Sequence, residues 1–194
     1  MDWAGMLLYM VSMLITPGPN NLTMMYCSAR YGMSRSWRFA LGSSVGFIAK
    51  SFLCGALNLA LSRAIPAAMP YLKWIGGLYM LYLAYKMLRA GYAPEEEHAA
   101  KTDDCTILSG LILQCFNMKS WVSCLGVFVF VVPYTTAFSA VALAACINSA
   151  LMVACTFAWG AFGLAFRRVY SAHRKAFSIL LAASLALCAV AAVR

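Results

Sequence analysis

Six long apolar segments follow one another along the chain, separated by short polar stretches. A membrane-spanning helix needs about 20 mostly apolar residues, and each segment approaches or exceeds that length. The pattern therefore predicts an all-α integral membrane protein with six transmembrane helices. These helices are expected at about 3–29, 39–61, 71–89, 106–132, 137–165 and 176–193.

The first segment is interrupted by Thr16, Pro17, Gly18, Pro19, Asn20 and Asn21. Proline lacks an N–H group and disfavours helix at the residue before it. Unpaired backbone in hydrocarbon is tolerated only where protein buries it or a watery cavity solvates it. Two interpretations are open: a simple proline kink, or a break whose second half-helix points its free N–H groups into a binding site. The polar side chains of Asn20 and Asn21 favour the break.

A polar linker at 91–105 divides the chain into halves, 1–90 and 106–194, that each hold three predicted helices. Because three is odd, the second half enters the membrane from the opposite side, as in an inverted-topology repeat. The first helix of the second half is also interrupted by polar residues, namely Gln114, Asn117, Lys119, Ser120 and Ser123. We therefore predict two three-helix inverted repeats with a broken first helix in each.

Composition agrees with a membrane protein, since 63% of residues are hydrophobic, 11% are charged, and the mean hydropathy is +0.77. The net charge of +9 is explained by topology rather than by a nucleic-acid partner, because the basic residues lie in loops between apolar segments. Ten of them fall on one predicted side and three on the other. The positive-inside rule then makes the linker cytoplasmic and both termini periplasmic.

The sequence speaks against an enzyme and against a metal site. Both histidines, His98 and His173, lie in polar loops, and no acidic residue falls within a predicted span. The eight cysteines form no C-x-x-C motif, and seven of them lie in apolar segments. We interpret them as small buried hydrophobic residues rather than metal ligands or disulfides, and we expect no cofactor.

Two lysines, Lys50 and Lys119, fall inside predicted helices, where a charge is costly. One hypothesis is that each caps carbonyls left free at a helix break. The other is that Lys119 and the half-helix after Pro19 hold a substrate carboxylate, while Lys50 repels cationic side chains. For Asn148, contact between helices and contact with a ligand are both open. The candidate substrate-binding residues are Thr16, Pro17, Gly18, Pro19, Asn20, Asn21, Lys50, Asn117, Lys119 and Asn148.

Four stretches together resemble the LysE/RhtB family of bacterial amino-acid exporters over the whole chain. They are the Thr-Pro-Gly-Pro-Asn of 16–20, Arg30-x-Gly32 with the glycine-spaced second helix, the third-helix pattern from Lys73-Trp74 to Arg89, and the Asn-Met-Lys-Ser-Trp of 117–121. The resemblance implies a six-helix inner-membrane exporter of amino acids, driven in most members by the proton gradient.

Two positions depart from the family pattern. Met118 stands where the family usually has proline, which predicts either a milder second break or a break that rests on Asn117 alone. Lys50 stands where many members are uncharged and exporters of basic amino acids carry an acidic residue, which argues against lysine or arginine as substrate. We expect a secondary transporter of a small neutral or zwitterionic amino acid, acting by proton antiport and compatible with a homodimer. The alternative is a cadmium-type metal exporter of the same superfamily.

Overall fold

The structure is a computed structural model that describes residues 3–56, 71, 74–75, 77–89, 92, 105–131 and 137–193. These residues are almost entirely helical. The helices, in chain order, are α1 (Trp3–Ile15), α2 (Pro19–Tyr31), α3 (Met33–Ala56), α4 (77–89), α5 (Ile107–Phe116), α6 (Met118–Val129), α7 (Phe138–Ala165), α8 (Arg167–Ala172) and α9 (Arg174–Val193).

Both predicted helix breaks are present. The first predicted helix consists of α1 and α2, which Thr16, Pro17 and Gly18 separate. The fourth consists of α5 and α6, which meet at Asn117 with a bend of 63°. A proline is therefore unnecessary for the second break, and Met118 simply begins the new helix.

Among the described residues, α3 and α7 are long and apolar enough to cross a membrane, and the bent pair α5–α6 adds a third candidate if it forms one span. Many large apolar side chains on these helices are exposed, as lipid contact requires. The count of six spans and the division at 91–105 stay predictions, since residues 57–70, where the second predicted helix ends, and most of the linker lie outside the described residues.

The second helix begins at Met33 rather than near residue 39. Gly32 explains the difference, because its φ of 75° lies in the left-handed region that glycine adopts readily, so one residue suffices to end α2 and restart the chain. Arg35 and Arg38, which the sequence pattern placed in a loop, consequently lie in the first turns of α3.

Close backbone contact fixes the core around the breaks. A Cβ atom added at Gly42 of α3 would lie 2.0 Å from the carbonyl oxygen of Ile107, and one at Gly110 of α5 would lie 2.4 Å from that of Phe39. Helix α2 approaches α7 in the same way, since a Cβ at Gly163 would lie 2.3 Å from the carbonyl oxygen of Met25. Glycine at these positions lets the helices carrying the breaks meet their neighbours.

The prediction that the cysteines are only small hydrophobic residues is wrong for two of them. Cys27 of α2 and Cys105, the last linker residue directly before α5, form a disulfide that ties the first half of the chain to the end of the linker. Both cysteines are fully buried. The charge pattern places this end of the linker in the cytoplasm, where disulfides are rare because the compartment is reducing. Reduction of a disulfide requires a thiolate to reach one of its sulfur atoms. Burial therefore favours survival of the bond.

Candidate functional site

At the first break, protein donors occupy the carbonyl groups that end α1. The amide nitrogen of Asn21 donates to the carbonyl oxygens of Leu14 (2.8 Å) and Thr16 (3.0 Å). The indole N–H of Trp159 in α7 donates to the carbonyl oxygen of Ile15 at 3.2 Å. Asn21, one of the two asparagines that favour a break, thus binds the freed backbone directly, whereas no local pattern pointed to Trp159.

Lys119 completes the cap of α1 from the other half of the chain. Its Nζ lies 2.7 Å from the carbonyl oxygen of Thr16, 2.8 Å from Thr16 Oγ1 and 3.3 Å from the carbonyl oxygen of Pro17. An ammonium group has three N–H donors, so these acceptors use all of them. In this conformation Lys119 can bind a substrate carboxylate only by giving up one of these bonds.

The second break is capped in the same manner, with the halves exchanged. The ammonium group of Lys50 in α3 donates to the carbonyl oxygen of Gln114 and to Ser120 Oγ, and it lies 4.6 Å from the ring centroid of Trp121. The indole N–H of Trp121 donates to the carbonyl oxygen of Cys115 at 2.8 Å. At each break, one lysine and one tryptophan therefore satisfy the carbonyl end of the preceding half-helix.

The beginnings of α2 and α6 lack such caps. Gly18 and Asn117 are their N-cap residues, and neither helix has a side-chain cap hydrogen bond. Asn117 has the side chain for a cap but does not use it. The first N–H groups of both half-helices and their positive dipole ends are left for another acceptor.

Both uncapped helix starts line one cavity, which we call the polar cavity, with a volume of about 30 Å³. Its polar lining consists of Asn20, Asn21, Gln114, Asn117, Lys119, Ser120 and Ser123. Three buried oxygens on this lining have no hydrogen-bond partner: Gln114 Oε1, Asn117 Oδ1 and Ser123 Oγ. Orphaned buried acceptors are uncommon in proteins, so their clustering here marks a place where a ligand or water would complete them.

A hydrogen-bond network ties the polar cavity to four helices. Asn20 donates to Thr156 Oγ1 of α7 at 3.1 Å and accepts a hydrogen bond from Ser43 Oγ of α3. Gln114 Nε2 of α5 donates to the same serine oxygen at 3.3 Å. The network fixes the amide of Asn20 and leaves Oε1 of Gln114 without a partner.

The predicted site residues divide into three groups. Those that line the polar cavity are Gly18, Pro19, Asn20, Asn21, Asn117 and Lys119. Thr16 and Pro17 supply acceptors for Lys119, and Pro17 also lines a second, adjoining cavity. Lys50 and Asn148 line neither cavity.

Asn148 is fully buried, and its amide nitrogen lies 3.4 Å from Ser51 Oγ and 3.9 Å from Cys124 Sγ. These distances suit contact between helices. The site predicted from sequence omitted Gln114, Ser123 and the apolar lining residues Phe47 and Met152. Gln114 and Ser123 had a sequence signal, because they lie in the polar interruption of the second half, whereas Phe47 and Met152 had none.

Comparison with known proteins gives a consistent result. The cysteine/O-acetylserine efflux proteins of Escherichia coli (strain K12) and Escherichia coli O157:H7 are each 28% identical to the chain over 183 residues, which cover 94% of this chain and 92% of the relative. The protein of the same name from Shigella flexneri serotype 5b matches equally. No solved structure matches significantly. The profile of the LysE type translocator family matches residues 11–194, so the chain belongs to this family and is a membrane transporter rather than an enzyme.

Proposed function

We propose that this protein exports a small neutral amino acid across the bacterial inner membrane and that the polar cavity binds the substrate's charged groups. One observation carries the proposal. Carbonyl groups at the helix breaks have protein donors, whereas the starts of α2 and α6 have no side-chain caps and line the same cavity. Such helix starts attract an anionic group, and a carboxylate supplies the missing acceptors.

The three unpartnered oxygens of the polar cavity suit the substrate's ammonium group. Gln114, Asn117 and Ser123 are each at least 95% buried, and their free oxygens can only accept or, for the serine, also donate. A buried acceptor without a partner costs about 1–3 kcal/mol, which a donor from the ligand recovers. An ammonium group offers three donors. A cavity with anion-binding helix starts and clustered acceptors therefore suits a zwitterion.

The charge around the cavity favours an uncharged substrate side chain. Lys119 lines the cavity, and the described residues include no aspartate or glutamate. A cationic side chain would thus meet like charge without a counter-ion, which discriminates against it. The relatives are named for efflux of cysteine and O-acetylserine, two zwitterions with uncharged side chains. This agrees with the same substrate class here.

The polar cavity is small, at about 30 Å³. An amino acid does not fit in this space, so loading one requires the lining helices to separate. The hydrogen bonds from Lys119 to Thr16 and Pro17 cross the cavity's edge between the two halves. Opening would stretch these bonds, and an arriving carboxylate would replace them.

The exchange of caps between the halves supports an inverted repeat. Lys50 from the first half caps the break of the second, and Lys119 from the second half caps the break of the first. Transporters built this way move one repeat against the other around a central site. We extend the proposal to proton antiport, on the family resemblance, and to periplasmic termini, on the distribution of basic residues.

Counterflow in proteoliposomes tests the proposed function. Vesicles preloaded with unlabelled O-acetylserine should accumulate labelled cysteine or O-acetylserine, whereas lysine should neither enter nor compete. If the protein exchanges protons for substrate, a pH difference between the lumen and the medium should change the rate of net export. Lysine transport equal to cysteine transport, or no amino-acid counterflow at all, would contradict the proposal.

The metal-exporter alternative has no support in the described part of the chain. No group of three or more histidine, cysteine, aspartate or glutamate side chains lies close enough there to hold a metal ion. In the same vesicles, Cd²⁺ should therefore not be transported. Cd²⁺ accumulation that depends on the protein would restore this alternative.

A further inference from the structure

A second cavity of about 290 Å³ adjoins the polar cavity. Four residues line both: Gly18, Pro19, Asn117 and Lys119. The walls that belong to the second cavity alone are Pro17, Met80, Met118, Val122 and Cys188. These residues come from the first break, α4, α6 and α9, so the cavity lies where both halves of the chain meet.

The chemistry of the second cavity differs from that of the first. Apart from the shared residues, its lining consists of apolar side chains, two thioethers and one thiol. Met80 and Met118 are buried, at 2% and 6% exposure, and thioether side chains adapt to ligands of varied shape. Among the described residues that line it, Lys119 alone is charged. Such a lining suits an uncharged, weakly polar group.

The volumes of the two cavities are also complementary. About 290 Å³ is room for the side chain of a small amino acid. The polar cavity, at about 30 Å³, is far smaller. A ligand whose charged groups displace Lys119 at the shared wall would therefore find space for its remaining atoms in the second cavity.

We propose that the second cavity is a side-chain chamber: it receives the uncharged side chain of the amino acid whose carboxylate and ammonium group occupy the polar cavity, and Met80, Val122 and Cys188 set the size of that side chain. This inference rests on the proposed function. The competing occupant is a lipid acyl chain, since the walls are apolar and Val122 is 45% exposed. The two occupants differ in whether water and substrate reach Cys188.

The native cysteines provide the test without any substitution. Cys188 lines the chamber and Cys155 lines the polar cavity, whereas Cys146 is exposed on α7 and lines neither. Wild-type protein in proteoliposomes would be treated with a small anionic methanethiosulfonate, which the charge of Lys119 does not repel. Each reacting thiolate attacks the reagent's sulfenyl sulfur, forms a mixed disulfide and releases methanesulfinate. Peptide mass spectrometry then gives the modified fraction at each cysteine.

We expect Cys188 to be modified and saturating O-acetylserine to slow its modification at least fivefold, while lysine at the same concentration has no effect. Cys146 should stay unmodified, because a charged reagent that remains in water does not reach a lipid-facing thiol. An unreactive Cys188, or one that reacts equally fast with and without substrate, would overturn the chamber when counterflow in the same vesicles is intact. Absent counterflow would instead refute the proposed function itself.

A size change gives an independent result. Val122→Trp fills the chamber, and Leu143→Trp places the same side chain on α7, where Leu143 is 51% exposed and lines neither cavity. The preference measured is the ratio of O-acetylserine counterflow to counterflow of the amino acid alanine, whose side chain is smaller. We expect Val122→Trp to lower this ratio more than tenfold and Leu143→Trp to leave it unchanged. An unchanged preference in well-folded Val122→Trp would contradict the assignment.

Discussion

Gly18→Ala is the smallest change that disturbs the proposed site. Gly18 is the N-cap of α2 and lines both cavities. Its φ of −168° and ψ of 174° are extended, so alanine adopts this backbone without strain. The added Cβ would lie 3.0 Å from Cδ and 3.1 Å from Nζ of Lys119. The substitution therefore acts on the lysine rather than on the backbone.

The size of the effect follows from these distances. Carbon atoms pack best at about 3.5–4.0 Å, so the lysine side chain must retreat by about half an ångström or more. Its bond to the carbonyl oxygen of Pro17, at 3.3 Å, is the longest of the three and should be lost first. A hydrogen bond to a charged group contributes about 1.5–3 kcal/mol, and partial exposure of Lys119 reduces this. We expect a loss of about 1 kcal/mol in stability.

The effect on transport should exceed the effect on folding, because the methyl group also occupies the wall where the two cavities join. We expect folded protein with counterflow reduced at least tenfold. Gly42→Ala is the matched control, since its Cβ would lie 2.0 Å from a backbone carbonyl oxygen that cannot move freely. That variant should lose several kcal/mol of stability. Thermal unfolding in detergent and counterflow measure the two effects. Full transport by Gly18→Ala, or unfolding as severe as that of Gly42→Ala, would refute this reasoning.

Three further predictions concern the breaks and the disulfide. Pro17→Ala combined with Pro19→Ala should keep membrane insertion but abolish counterflow, because a continuous helix removes the free start of α2; normal counterflow would indicate a simple kink. Lys119→Met should leave the Pro17 carbonyl without its ammonium donor, cost about 1–3 kcal/mol and abolish counterflow, whereas unaltered thermal stability would contradict the capping role. The double variant Cys27→Ser, Cys105→Ser opens a loop of 78 residues and should lower the free energy of unfolding by about 4–5 kcal/mol. Its unfolding midpoint should be lower than that of the oxidised wild type and equal to that of the reduced wild type.

The helix breaks could be predicted from sequence because their causes are local. Two prolines with a single residue between them end α1, and the polar run around Asn117 marks the second interruption. The capping role of Lys50 and Lys119 was one of two hypotheses, since a buried ammonium group needs acceptors wherever it lies. The structure shows both lysines bound to carbonyl groups, and the hypothesis that they select the substrate stays a prediction.

The partners of these groups could not be predicted. Trp159 caps Ile15 from 144 positions away, and Cys27 pairs with Cys105 across 78. Nothing in the local sequence distinguishes these residues from other apolar side chains, because their partners are set by how the helices pack. The early start of α3 at Met33 was missed for another reason: an isolated glycine does not reveal its φ in the sequence.

The central claim is that the uncapped starts of α2 and α6 hold the substrate's carboxylate. Competition by cysteamine, which is cysteine without its carboxylate, tests this claim most directly. In the counterflow assay with labelled cysteine, unlabelled cysteine should compete fully. Cysteamine should fail to compete at a hundredfold higher concentration, which corresponds to at least about 2.7 kcal/mol of binding free energy from the carboxylate. Competition by cysteamine as strong as that by cysteine would contradict the account.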